Sequence, residues 1–245
     1  MIFDFHTHNF RKTVPETVIA LENTADSFLC LGDVFAFGAD PSAEEIHKIN
    51  DDVLEYTSCD SSHRFAACFI NPCNSVDSCI GEMRFRVLKQ GFKAIKFEVN
   101  LPCSDPAMTP LMREIARLKV PVVHHCWRKS SDRCPGESFP EDVVVLAKRN
   151  PDVNIVMAHI SSCGYLGVAQ IAPLKNVYTD TSGGVPEGSI LEYALALLGP
   201  ERILYGSDVP CRSAASQLGR VLGTVKSRRA RELILYKNAE RLLGL

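Results

Sequence analysis

The chain has 245 residues, 46% of them hydrophobic, enough to bury a large core in one barrel-sized domain or two small ones. Its 27 Lys and Arg against 29 Asp and Glu give no strong net field, which excludes the electrostatic footprint of a nucleic-acid or anionic-membrane binder. Ten cysteines without a CxxC pair, no basic-then-apolar N-terminal segment and no apolar run near the roughly 18 residues that span a bilayer predict a soluble cytoplasmic protein with reduced thiols.

From the N-terminus, apolar or β-branched runs at 2–5, 27–31, 65–70, 94–99, 121–125, 154–158, 177–179 and 203–205 read as strands. Helical periodicity fills the intervals at 43–56, 75–90, 106–118, 140–149, 164–172 and 188–198, then a long terminal stretch at 214–243; the segment 14–23 is the weakest helix of the set. Ser42 precedes Ala43-Glu44-Glu45 as an N-cap with acids in the first turn, and Asp105 precedes Pro106 in the favoured first helical position. The strands are near-continuous apolar runs, as expected of a parallel sheet covered on both faces. Eight strand–helix units in this length predict a (β/α)8 TIM barrel, one domain over 1–245, with its site at the C-terminal ends of the strands. The alternative, an open doubly wound sheet, would place a glycine-rich phosphate turn after the first strand, where this chain has His6-Thr7-His8.

Polar residues gather at those strand ends. His6 and His8 lie two apart on the first strand and so share a face. In Ala94-Ile95-Lys96-Phe97-Glu98-Val99 the apolar residues alternate toward the helices, leaving Lys96 and Glu98 for the barrel interior. Strand five ends in His124-His125, of which alternation sends only one inward; strand six ends in His159 and strand eight in Gly206-Ser207-Asp208. Taken singly, His159 reads as a hydrogen-bonded core residue, Lys96 and Glu98 as an ion pair, and Asp208 as the cap of the next helix. Yet five of the seven histidines fall at three strand ends, and imidazole with carboxylate suits zinc, iron or manganese. Trp127 and Arg128 follow strand five and Arg212 follows strand eight; guanidinium groups there suit a substrate carboxylate or phosphate, or pair with loop acids. Cys126 and Cys211 lie near the proposed centre but have no base beside them, and they read as inert small hydrophobes.

His6-Thr7-His8, Gly91-Phe92-Lys93-Ala94-Ile95-Lys96, Pro121-Val122-Val123-His124-His125, Ile155-Val156-Met157-Ala158-His159, Asp180-Thr181-Ser182-Gly183, Gly206-Ser207-Asp208-Val209-Pro210 and the terminal Asn238-Ala239-Glu240-Arg241-Leu242 follow one another in order. This series resembles the amidohydrolase superfamily of metal-dependent barrel enzymes, in particular its compact branch of hydrolases, lactonases and decarboxylases. The resemblance implies that His6 and His8 ligate a divalent metal, with His125 the inward ligand of strand five and His159 either a ligand to a second ion or a partner of substrate. It implies further that Asp208 binds the metal and serves as proton shuttle. Two-metal relatives use a carboxylated Lys or a Glu on strand four and one-metal relatives neither; Glu98 is preferred here, which would leave Lys96 as a deeper charge partner or an anion contact. Zinc is the first expectation, manganese or iron the alternatives, with one or two ions.

Three activities fit these residues. The first is a metal-dependent hydrolase of a small-molecule C–N, lactone or ester bond, the second a decarboxylase of an aromatic or unsaturated carboxylic acid on the same ligands. The third, a deoxyribonuclease of the TatD type, lacks its strand-four glutamate motif and a basic stripe for phosphates. The expected partner is a small-molecule substrate, without nucleic acid or membrane; the oligomeric state, a homo-oligomer included, is left open.

Overall fold

The structure, a computed structural model, describes residues 1–10, 14–15, 17–19, 24–128, 133–184 and 188–245. The predicted runs form eight strands: β1 (Phe3–Thr7), β2 (Ser27–Cys30), β3 (Arg64–Ile70), β4 (Ala94–Phe97), β5 (Val122–His124), β6 (Ile155–Met157), β7 (Val177–Asp180) and β8 (Ile203–Leu204). They pair in sequence order in one sheet, every pair parallel. Backbone bonds from the Phe5 N–H to the Tyr205 carbonyl and from the Asp208 N–H to the His6 carbonyl, both 2.8 Å, join the last strand to the first. The architecture is the (β/α)8 barrel.

Alternation along the strands sorts the core into two layers. Phe3, Phe5, Leu29, Ala67, Ala94, Val123, Val156 and Leu204 form one buried cluster. Side chains from strands all round the ring can meet only in the barrel interior. Ala239, Leu242 and Leu243 of the terminal helix join this cluster. The opposite faces, among them Cys68, Ile95, Val122, Ile155, Val177 and Ile203, pack against helix residues such as Ile49, Met83, Ile115, Leu146, Val168 and Ala194. Both faces of most strands are therefore largely apolar, with Asp4, His6 and Lys96 among the buried polar exceptions, which is why most runs lack a polar alternation.

The helices around the barrel are α1 (Ala43–Ser58), α2 (Val76–Gln90), α3 (Met108–Leu118), α4 (Pro140–Arg149), α5 (Ile160–Ile171), α6 (Ile190–Leu198) and α7 (Ala214–Thr224). Three differ from the sequence reading. Asp105 does not cap α3: its carboxylate accepts the Ala107 N–H (2.8 Å) in a turn that leads into a helix starting at Met108. α5 begins earlier than its periodicity suggested, directly after His159, and is kinked at Gly164. The terminal stretch is broken after Thr224 and resumes as α8 (Arg228–Glu232), a π-helical turn (Leu233–Lys237) and α9 (Asn238–Leu243). Half of the weak segment 14–23 lies outside the described residues, and 17–19 are helical.

Ser42 caps α1 as the sequence predicts. Its hydroxyl accepts the Glu45 N–H (3.4 Å) and Glu45 accepts the Ser42 N–H (2.8 Å), a reciprocal capping box. Ser42→Ala is expected to cost about 1 kcal/mol, read as a lower urea midpoint with an unchanged slope.

Candidate metal centre

Two histidines and a carboxylate converge above β1 and β8. His8 Nε2 lies 3.5 Å from Asp208 Oδ1, and His6 Nε2 lies 3.8 Å from the same oxygen. The other ring nitrogen of each is already committed. His8 Nδ1 is 2.8 Å from the Gly32 carbonyl, which can only accept, so Nδ1 carries the proton and Nε2 a lone pair. His6 Nδ1 is 2.8 Å from Asp180 Oδ2 and donates to it in the same way. Two lone pairs thus face a carboxylate oxygen, a repulsive arrangement unless a cation sits among them. His6 Nε2 is buried and has no hydrogen-bond partner, so the residues fit a divalent ion.

Asp180 organises this arrangement from β7. Besides His6, it accepts the backbone N–H of His159 (3.1 Å) and of Ser182 (3.0 Å), and the Ser182 hydroxyl bonds to it at short range. His159 Nδ1 in turn donates to Ser182 Oγ (2.8 Å), leaving its own Nε2 as an acceptor. Burial pushes the Asp180 carboxyl up, but the neighbouring His6, with its hydrogen bond, and then His159 and Ser182 hold it well below the usual carboxylate range. Burial lowers His6 and His159, keeping both imidazoles neutral and able to ligate. His6, His159 and Asp180 also lie close enough to hold an ion. Their contacts are already hydrogen bonds, however, whereas the facing atoms of His6, His8 and Asp208 leave that group able to receive an ion. Asp180→Asn is expected to weaken metal binding by roughly 10–100-fold, measured by competition with a chelating dye, because an amide orients the His6 ring less firmly.

β8 reaches this point because residue 206 is glycine. A Cβ there would stand 2.9 Å from His6 Cβ and 3.1 Å from Asp180 Cβ. Asp4 supports the same corner, accepting the N–H of His6 (3.1 Å) and of Ser207 (2.9 Å); its burial pushes the carboxyl up to about 7 against the pull of Ser207. Asp208 sits at φ 65°. Burial raises its carboxyl, but positive charge at this corner, which His8 and then His6 carry only when protonated and Lys96 carries throughout, holds it below its ordinary value.

A cavity of about 220 Å3 opens over these groups, lined by His8, Glu98, His125, His159 and Asp208 with walls of Phe10, Phe35, Trp127 and Arg212. Val123 faces inward and the His124 ring lies 5.8 Å from outward Phe97, so alternation returns His125 to the interior. His124 is fully buried, which pushes it down to about 4. His125 has no hydrogen bond at either ring nitrogen; Nδ1 stands 3.4 Å from Glu98 Oε2 and Nε2 3.5 Å from Glu137 Oε1. Lys96 points inward from β4 with Nζ 3.4 Å from the same Glu98 oxygen. Burial raises Glu98, and Lys96 followed by His125 pulls it below its ordinary value. His125 and Glu98 share the cavity but are not within the tight group of His6, His8 and Asp208.

Arg128 departs from the sequence reading. It pairs with Glu141, its guanidinium lies 5.3 Å from the Phe139 ring, and it does not line the cavity. The loop after β5 turns it outward, and the nearby acid of α4 takes its charge. Sequence reasoning passed over Asp180 and Glu137 as site residues. Asp180 carried two signals, as the acid that closes a strand and as the head of the motif Asp180-Thr181-Ser182-Gly183; Glu137, buried in a loop, carried none.

Residues 4–245 match the model of a family described as amidohydrolase. No curated protein matches the chain. Among solved structures the chain is similar to a 2,6-dihydroxybenzoate decarboxylase from Rhizobium, at TM-score 0.76 and 18% identity, over 99% of this chain and 98% of that one. It is similar to a dihydroxybenzoic acid decarboxylase from a Polaromonas species, solved with bound manganese and the inhibitor 2-nitroresorcinol, at TM-score 0.76 and 16% identity over 100% and 96% of the two chains. A 4-oxalomesaconate hydratase from Rhodopseudomonas palustris aligns at TM-score 0.66 and 14% identity over 100% and 96%. At these identities the structural likeness establishes the fold.

Proposed function

The chain belongs to the amidohydrolase family, and from that premise we propose that it is a metal-dependent hydrolase of a small-molecule C–N, lactone or ester bond. The observation that carries this reading is the convergence of two imidazole lone pairs on one oxygen of an ionised Asp208. His6, His8 and Asp208 would hold the ion, with His125 and Glu98 available from the facing strands. When bound, a divalent ion, zinc by preference or manganese, lowers the pKa of water toward neutrality and polarises an oxygen of the substrate.

The protein's own residues supply the rest. Asp208 takes the proton from the attacking water and returns it to the leaving group. His159, its Nδ1 committed to Ser182, accepts a hydrogen bond at Nε2 and orients water or substrate. Phe10, Phe35 and Trp127 shield the reacting groups from bulk solvent. The cavity, about 220 Å3, limits the buried part of the substrate to about one ring, below the roughly 300–1,000 Å3 of drug-sized sites. Ten free cysteines support a reducing, cytoplasmic location; among the described residues no helix is long and apolar enough to cross a membrane.

A second reading, decarboxylation of an aromatic acid, is favoured by the aromatic walls beside Arg212 and by the names of two of the structural neighbours. One panel separates the two. Metal-loaded protein is offered small lactones, cyclic amides and esters beside hydroxybenzoates, with acid release and carbon dioxide both recorded. Chelator-sensitive ring opening or ester cleavage supports the hydrolase; carbon dioxide release alone reassigns the chain as a lyase.

A further inference from the structure

We propose that a second cavity beside the metal pocket is an anion subsite, which holds a carboxylate or phosphate group of the substrate remote from the bond being broken. This cavity, of about 330 Å3, is lined by Gly183, Gly184, Arg212, Ser213, Ser216, Gln217 and Arg220. It adjoins the metal pocket directly. Arg212 lines both, and a Cβ on Gly184 would stand 2.8 Å from Trp127 Cη2 and 2.9 Å from Arg212 Nη2. Arg212 is thus the wall that the two cavities share, and a substrate ring beside Trp127 lies next to it.

The chemistry of the lining selects an anion. Two half-buried guanidinium groups face one space, and among the described residues neither forms an ion pair with a carboxylate. Arg220 bonds only to neutral acceptors, the Ser161 hydroxyl, the Thr181 carbonyl and the Gln217 side chain. The Nη1 of Arg212 bonds to the Cys211 carbonyl. The Nε of each arginine is buried with no hydrogen-bond partner. Asp180 acts on Arg220 only at a distance, and an anion between two guanidinium groups that line one cavity offsets their mutual repulsion while supplying paired acceptors. α7 starts at the same wall. Ser213 precedes it without spending its side chain on a cap, and the helix dipole adds to the positive potential. The substrate class that follows is a small molecule with an anionic arm. Only the choice of which end reacts rests on the hydrolase reading, and binding of the arm is measurable without turnover.

The test is binding by the metal-loaded protein at constant ionic strength, followed by fluorescence of Trp127, the chain's one tryptophan, whose ring lies 5.8 Å from the Arg212 guanidinium. Isophthalate carries one more carboxylate than benzoate, and inorganic phosphate reports a free anion. The wild-type chain is expected to bind isophthalate at least about tenfold more tightly than benzoate. Ser216→Glu sets a carboxylate in the cavity from an exposed position and should abolish that preference, as should Arg220→Gln. Equal binding of isophthalate and benzoate by the wild type overturns the proposal, as does a preference that survives Ser216→Glu. Saturable phosphate binding without that preference assigns the cavity to a free anion and also overturns it. Each result leaves the hydrolase reading to be decided by turnover alone.

Discussion

Asp208→Asn is expected to lower kcat/KM by about 10²–10⁴-fold while the protein keeps its fold and most of its metal. The substitution suits the backbone, because Asp208 stands at φ 65° and Asn tolerates the left-handed region better than most residues. An amide oxygen can still face the His6 and His8 lone pairs, but it cannot take a proton at neutral pH. The burial of Asp208 would ordinarily favour the neutral acid; positive charge around it reverses that, and the base form is what turnover uses. Kinetics and metal analysis on the same preparation separate the roles. If metal content falls in proportion to activity, lost ligation accounts for the whole effect and another group moves the proton.

His6→Ala should abolish stoichiometric metal binding, a larger loss than the roughly 10–100-fold expected for an outer partner such as Asp180. It should also destabilise the fold by about 1.5–3 kcal/mol, because the fully buried Asp180 loses the hydrogen bond from the imidazole at 2.8 Å. The folded Asp180 carboxyl is depressed, so its contribution to stability is present above the ordinary carboxylate range and is lost as pH falls toward the depressed value. His8→Ala provides the control. His8 is tied to a carbonyl at Gly32 and to no second carboxylate, so metal binding should fall as far with a smaller change in the urea midpoint. Equal destabilisation by both variants would show that the Asp180–His6 pair contributes little beyond ligation.

The barrel was legible because its strands announce themselves twice, as apolar runs and by the polar residues at their ends. β4 is the clearest case. Ile95 and Phe97 pack outward while Ala94 and Lys96 face the interior, as strict alternation requires. The same rule separates His125 from His124. What the sequence does not carry is pairing over long separations and the direction of loops. Asp180 meets His6 across 174 residues, a contact that exists only because β7 and β1 flank β8. Arg128 turns outward to Glu141, and Glu137 turns inward to His125; the loop joining β5 to α4 decides both, and no periodicity describes it. The terminal stretch read as one helix because its apolar spacing continues past Thr224, yet the chain must break there to bring Ile234 against Tyr205, bonded at 2.8 Å. Arg220 was passed over for a related reason: mid-helix arginines are ordinarily solvated, and its inward course depends on acceptors at Ser161 and Thr181 from two other units.

The central claim is that His6, His8 and Asp208 hold a catalytic divalent ion. Anomalous scattering from crystals supplemented with zinc or manganese, read together with metal analysis of the same protein, tests it most directly. The account predicts at least one ion per chain, with its peak bounded by His6 Nε2, His8 Nε2 and the Asp208 carboxylate. A site that stays empty after supplementation with both metals would contradict it.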